Sequence, residues 1–121
     1  MSAEIDKEGD MAESRYVFIE SRDPFESADT AFVADTAAAL RQRGRPVTVF
    51  LVQNGVLATR AGARGSQVPR LAEAGVTVLA DDFSLAERGI QPAELQAGVR
   101  EAPIGALVDL VMQPGTKAVW H

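Results

Sequence analysis

The chain has 121 residues, of which 46% are apolar and 24% charged, with a formal net charge of −5 and no cysteine. That length suits one domain with its own core and excludes two ordinary ones, while the composition excludes wholesale disorder. The absence of cysteine excludes disulfides, thiolate metal sites and cysteine nucleophiles.

No apolar run approaches the roughly 20 residues of a membrane span, and the acidic start does not look like a signal peptide, so a soluble, cytoplasmic protein with no membrane partner is expected. Much of the negative charge lies at that start, where Glu4, Asp6, Glu8, Asp10 and Glu13 stand against Lys7. Residues 1–14 carry few large apolar side chains and no periodicity, and are expected to form an acidic, disordered tail to a domain of residues 15–121. From Thr36 to Ala72 there is no carboxylate side chain, yet Arg41, Arg43, Arg45, Arg60, Arg64 and Arg70 all fall there. Such a set forms an anion-binding surface or a face for an acidic partner, or else is solvated and scattered. Nucleic acid is not an expected partner: the chain is acidic, and Phe50 is the only aromatic residue between Phe32 and Phe83.

Tyr16 to Ile19 is a continuous apolar run, the pattern of a strand covered on both faces. Asp23-Pro24-Phe25-Glu26 predicts a helix start, with Asp23 as cap, Pro24 in the first position and Glu26 reaching back. Val33, Ala37 and Leu40 continue that helix at helical spacing until Gly44 and Pro46 end it. Val47 to Val52 is the strongest strand, and buried strands joined by a helix imply a parallel sheet with right-handed crossovers. A long glycine- and alanine-rich loop is expected from Gln53 to about Ser66, then a brief helix from Val68 to Ala74 and a third strand from Val76 to Ala80. A helical turn from Leu85 to Gly89 follows. The stretch from Pro92 to Pro103 reads as another helical turn and a short strand. Leu107 to Met112 reads as a helix, and Lys117 to Trp120 as the closing strand. Together these predict a single three-layer α/β/α domain with a mostly parallel sheet of about five strands, flavodoxin-like in appearance.

Open parallel sheets bind ligands beyond the carboxyl ends of their strands. The segments there are Glu20 to Asp23, Gln53 to Ser66 and Asp81 to Ser84, which makes Asn54, Arg60, Arg64, Asp81, Asp82, Ser84 and Arg88 the candidate ligand-binding residues. The loop bearing Arg60 and Arg64 reads either as a lid or anion clamp or as a surface excursion. No Gly-Lys-Ser, Gly-Lys-Thr or G-x-G-x-x-G occurs, so neither a phosphate loop nor dinucleotide binding is supported. Ser84 and Glu87 have capping-box spacing, and Asp81 and Asp82 suit the same helix N-terminus. Two weaker alternatives are a divalent metal held by Asp81, Asp82 and His121, and a hydrolase built on Ser84, His121 and an aspartate. No cofactor, metal or catalytic residue is assigned.

Four segments, in order, resemble the DsrE/DsrF-like family, which includes the TusB, TusC and TusD sulfur-relay subunits. They are Pro46 to Leu51 running into Asn54-Gly55-Val56, Leu71 to Val78, Leu85 to Ile90 with its Arg-Gly-Ile ending, and Lys117 to His121. The resemblance covers about residues 15 to 121. It implies a parallel sheet, cytoplasmic sulfur traffic and either a homo-oligomer, often a trimer or hexamer, or a hetero-oligomer with other DsrE-like subunits. Sulfur-carrying members place a cysteine four residues before that arginine, sometimes with a second three residues earlier; here those positions hold Ser84 and Asp81. An alcohol is neither ionised at neutral pH nor able to hold sulfane sulfur. At about 5 Å each nearby carboxylate repels an anionic persulfide by roughly 1–3 kcal/mol. The resemblance therefore implies a cysteine-less, accessory role, with a small-molecule or metal-binding enzyme using Asp81, Asp82 and Arg88 as the alternative.

Overall fold

The computed structural model describes residues 14–121. The expected tail lies outside the described residues except for Ser14, which is buried. The apolar run at the start of the domain forms β1 (Arg15–Glu20), at the centre of a five-stranded sheet. Helix α1 (Asp29–Gln42) follows, and then β2 (Val47–Leu51). A 3₁₀ segment over Gln53–Thr59 precedes α2 (Val68–Glu73) and β3 (Thr77–Asp81). The chain ends with α3 (Asp82–Glu87), a 3₁₀ turn at Pro92–Glu94, β4 (Val99–Ala102), α4 (Ile104–Met112) and β5 (Thr116–Trp120).

All four strand pairings are parallel, in the order β4-β3-β2-β1-β5. The steps from β1 to β4 move one way across the sheet, so right-handed crossovers put α1, α2 and α3 on one face. The return from β4 to the far side of β1 reverses the direction and puts α4, alone among the described helices, on the other. The core divides accordingly. Phe18, Val33, Ala37, Val49, Leu71, Val78 and Leu85 pack on the first face, and Val17, Ile19, Phe50, Ala102 and Leu107 on the second. Phe50 is wholly buried, and a side chain of that kind stabilises the fold by about 1.5–3 kcal/mol.

Three expectations need correction. The first helix begins at Asp29, not at Pro24. Glu26 Oε1 does accept the Asp23 N–H at 2.8 Å, but it closes an isolated turn. Phe25 is 74% exposed, so nothing anchors a first helical turn there. Helix begins where Thr30, Val33 and Ala34 find the sheet.

The segment from Gln53 to Ser66 is not a long open loop. Its first half is 3₁₀ helix with Gly55, Val56, Ala58 and Thr59 buried. The Gln96 side chain donates to Ala58 O at 2.7 Å, and Ser66 Oγ to the same oxygen at 2.7 Å. Ala61 N–H donates to Glu94 O at 2.9 Å.

The third correction concerns α3. Strand β3 runs into it without a loop, so the cap is Asp81, and Ser84 is the third helical residue and not the capping one.

Candidate functional site

The sheet aligns the carboxyl ends of β1, β2 and β3 side by side, with Glu20 opposite Leu51 and Leu51 opposite Ala80. Between the ends of β2 and β3 lies a polar cluster centred on Ser84, which is 4% exposed. Its hydroxyl donates to Asp81 Oδ2 at 2.6 Å and accepts the Gln53 N–H at 2.8 Å. Its own N–H donates to the same Asp81 oxygen at 3.0 Å, the hydrogen bond that caps α3. Arg88 donates from Nε and Nη2 to Asn54 Oδ1 at 3.2 and 3.0 Å, and from Nη1 to Ser84 O at 3.2 Å. The other Asp81 oxygen, Oδ1, is buried without a hydrogen-bond partner.

Two local features hold this geometry. Val52 is still extended and directs the Gln53 N–H to Ser84, and the positive φ of 50° at Gln53 then turns the chain out of the strand. Gly55 then passes so close to β1 that a Cβ there would lie 2.2 Å from the Glu20 carbonyl oxygen. Only glycine permits that approach.

The structure thus joins Asn54, Asp81, Ser84 and Arg88 and leaves the other three candidates outside. Asp82 is exposed in the first turn of α3. Arg60 and Arg64 line a separate cleft with Asp23 and Phe25. The six arginines are scattered: Arg70 forms an ion pair with Asp35 on α1, and Arg41 Nε donates to Gly75 O at 3.1 Å.

His121 lies far from Asp81 and Asp82. Strands β2 and β1 separate β3 from β5, which spaces them about 14 Å apart. Among the described residues no group of three His, Cys, Asp or Glu side chains is placed to hold a metal. The metal set and the hydrolase triad both fail on this spacing.

A residue that sequence reasoning passed over, Glu20, is the partner His121 has instead. Glu20 is buried, and its two carboxylate oxygens lie 2.9 and 2.8 Å from His121 Nδ1. Its Oε2 also accepts the Arg22 N–H at 3.1 Å. The available signal was a carboxylate closing an otherwise apolar strand.

No family model matches the sequence, and no curated protein does. Among solved structures, the ychN protein from E. coli superposes with a TM-score of 0.80 at 19% identity, over 89% of this chain and 99% of that one. MTH1491 from Methanobacterium thermoautotrophicum, a protein of unknown function, gives 0.74 at 20% identity over 90% and 100%. BT1422 from Bacteroides thetaiotaomicron, also of unknown function, gives 0.66 at 18% identity over 88% and 94%. The fold is that of the DsrE/YchN-like α/β proteins. No helix among the described residues is long and apolar enough to cross a membrane.

Proposed function

We infer that this chain is a non-catalytic binding protein that works as an oligomer, without covalent sulfur chemistry. The observation that carries the reading is the state of Ser84, whose buried hydroxyl is committed to Asp81 on one side and to the Gln53 N–H on the other. It is an oxygen, so it forms no persulfide. Its neighbour Asp81 is a carboxylate that opposes an incoming anion. Asn54 and Arg88 at the rim offer an amide and a guanidinium to a ligand or partner protein.

Support for the oligomer comes from α4. As the sole described helix on its face it buries Leu107, yet its outward side is also apolar: Ile104, Val108, Val111 and Met112 recur at helical spacing and are all exposed. Trp120 on neighbouring β5 is 64% exposed. Together they present on the order of 500 Å² of apolar side chain, against about 800 Å² per partner in a standard interface. A trimer or hexamer of this chain is the proposed assembly. A related chain carrying the missing thiol would use the same face in a mixed assembly, and co-purification distinguishes the two.

The test has two arms. After incubation with a sulfide donor, intact-mass spectrometry should find the protein mass unchanged, and an adduct of added sulfur overturns the reading. Light scattering at micromolar concentration should give more than a monomer, with Val108→Glu shifting it toward monomer while circular dichroism stays the same. A clean monomer that captures no partner counts equally against it.

A further inference from the structure

Strand β5 joins the sheet by a crossover on the α4 face, so no helix among the described residues covers its opposite side. An apolar groove of about 320 Å³ results between α1 and β5. Its floor is Tyr16 of β1, its walls are Phe32, Thr36 and Leu40 of α1 and Val119 of β5, and His121 lines it as well. Phe32 is 70% exposed on its rim. Strand alternation puts Glu20 on the same sheet face as Phe18, and His121 on the same face as Val119. The buried Glu20 carboxylate takes Nδ1 of the imidazole and so fixes its orientation, which leaves Nε2 with no hydrogen-bond partner among the described residues. This corner lies at the carboxyl ends of parallel strands, where α/β sheets bind ligands. No Lys or Arg side chain forms an ion pair with Glu20 among the described residues. Burying a carboxylate is costly unless its hydrogen bonds repay it, and here the main return is an oriented imidazole.

We propose that the groove between α1 and β5 binds a small apolar molecule bearing one hydroxyl, of the phenol class, with its ring against Phe32 and Val119 and its hydroxyl on His121 Nε2. With Nδ1–H donated to the Glu20 carboxylate, Nε2 of the neutral imidazole is an acceptor, which a hydroxyl satisfies and an ether does not. The remaining lining is mainly apolar, and the Thr36 hydroxyl already donates to Phe32 O at 2.9 Å. The volume matches a one-ring ligand and falls near the lower end of small-molecule sites. The site is separate from the Ser84 cluster and shares only Trp120 with the proposed interface, so Val108→Glu tests the interface and His121→Phe the groove without touching each other's residues.

The probe is 4-ethylphenol, titrated into the full chain and followed by two-dimensional amide NMR, with 4-ethylanisole as the analogue that cannot donate. The phenol should give saturable shifts at Thr36, Leu40, Val119 and His121, with about tenfold weaker binding for the anisole. His121→Phe keeps the apolar volume and should abolish that tenfold preference while leaving anisole binding intact. Phe32→Asp, at an exposed position that leaves the core untouched, should weaken both. The proposal is overturned if shifts do not saturate at millimolar probe, if they map elsewhere, or if His121→Phe leaves the preference for the phenol unchanged. Shifts of the same residues on protein dilution alone, without response to probe, would show a second copy in the groove and also overturn it.

Discussion

Replacing Asp81 with alanine removes two things at once. Helix α3 loses its cap, since Asp81 Oδ2 accepts the Ser84 N–H, at a cost of about 1 kcal/mol. The Ser84 hydroxyl also loses its acceptor while staying buried, which costs a further 1–3 kcal/mol, roughly. Asp81→Ala should therefore destabilise by about 2–4 kcal/mol, a drop of roughly 10–20 °C in Tm for a domain of this size. Ser84→Ala should cost about 1–3 kcal/mol, because it strips Asp81 of its shortest hydrogen bond and leaves the Gln53 N–H without its acceptor. The 2.6 Å contact between the two side chains is lost in both single variants, so the double variant should cost about 1–2 kcal/mol less than their sum. Urea unfolding followed by circular dichroism measures this, with midpoint shifts compared at constant slope. The series belongs in the Val108→Glu background at one protein concentration, since association would otherwise enter the stability. If the two costs add to within about 0.5 kcal/mol, the Ser84–Asp81 pair is not an interacting unit and the account of this cluster is wrong.

Gly55→Ala should cost at least about 3 kcal/mol or prevent soluble expression, because the new Cβ meets backbone at 2.2 Å and no flexible side chain can yield. Gly105→Ala is the control: nothing lies within 4 Å of its Cβ position in α4, so it should be stabilising by up to about 1 kcal/mol. Equal thermal shifts for the two would contradict the close approach of Gly55 to β1. Arg88→Ala should cost less than about 1 kcal/mol in chemical denaturation, since its hydrogen bonds to Asn54 lie at the exposed rim. A loss as large as that of Asp81→Ala would move the structural centre of the cluster from Ser84 to the arginine.

Much of the fold was legible because its signals are local. Val47 to Leu51 is almost wholly apolar and ends up buried on both faces, which only a covered parallel sheet explains. The brief helix ending before Gly75 was legible for the same reason, since Gly75 has the φ of 86° that other residues avoid. The start of α1 was misread because capping chemistry at Asp23 and Glu26 is real but has no buried face to hold a helix turn beside it. The cap of α3 was misread by three residues because Asp81 and Ser84 are both good caps, and only the absence of a loop after β3 chooses between them.

The sequence by itself determined the alternation of strands and helices, the parallel sheet and the oxygen at position 84, because each depends on neighbours within a few residues. Only the tertiary structure decided the strand order and everything that follows from it. Placing β5 beyond β1 pairs Glu20 with His121 across about a hundred residues, separates that histidine from Asp81, and leaves α4 as the one described helix on its face, its outer side exposed. Those outcomes come from crossover handedness and sheet register, which act between segments distant in the chain and leave no mark on local periodicity.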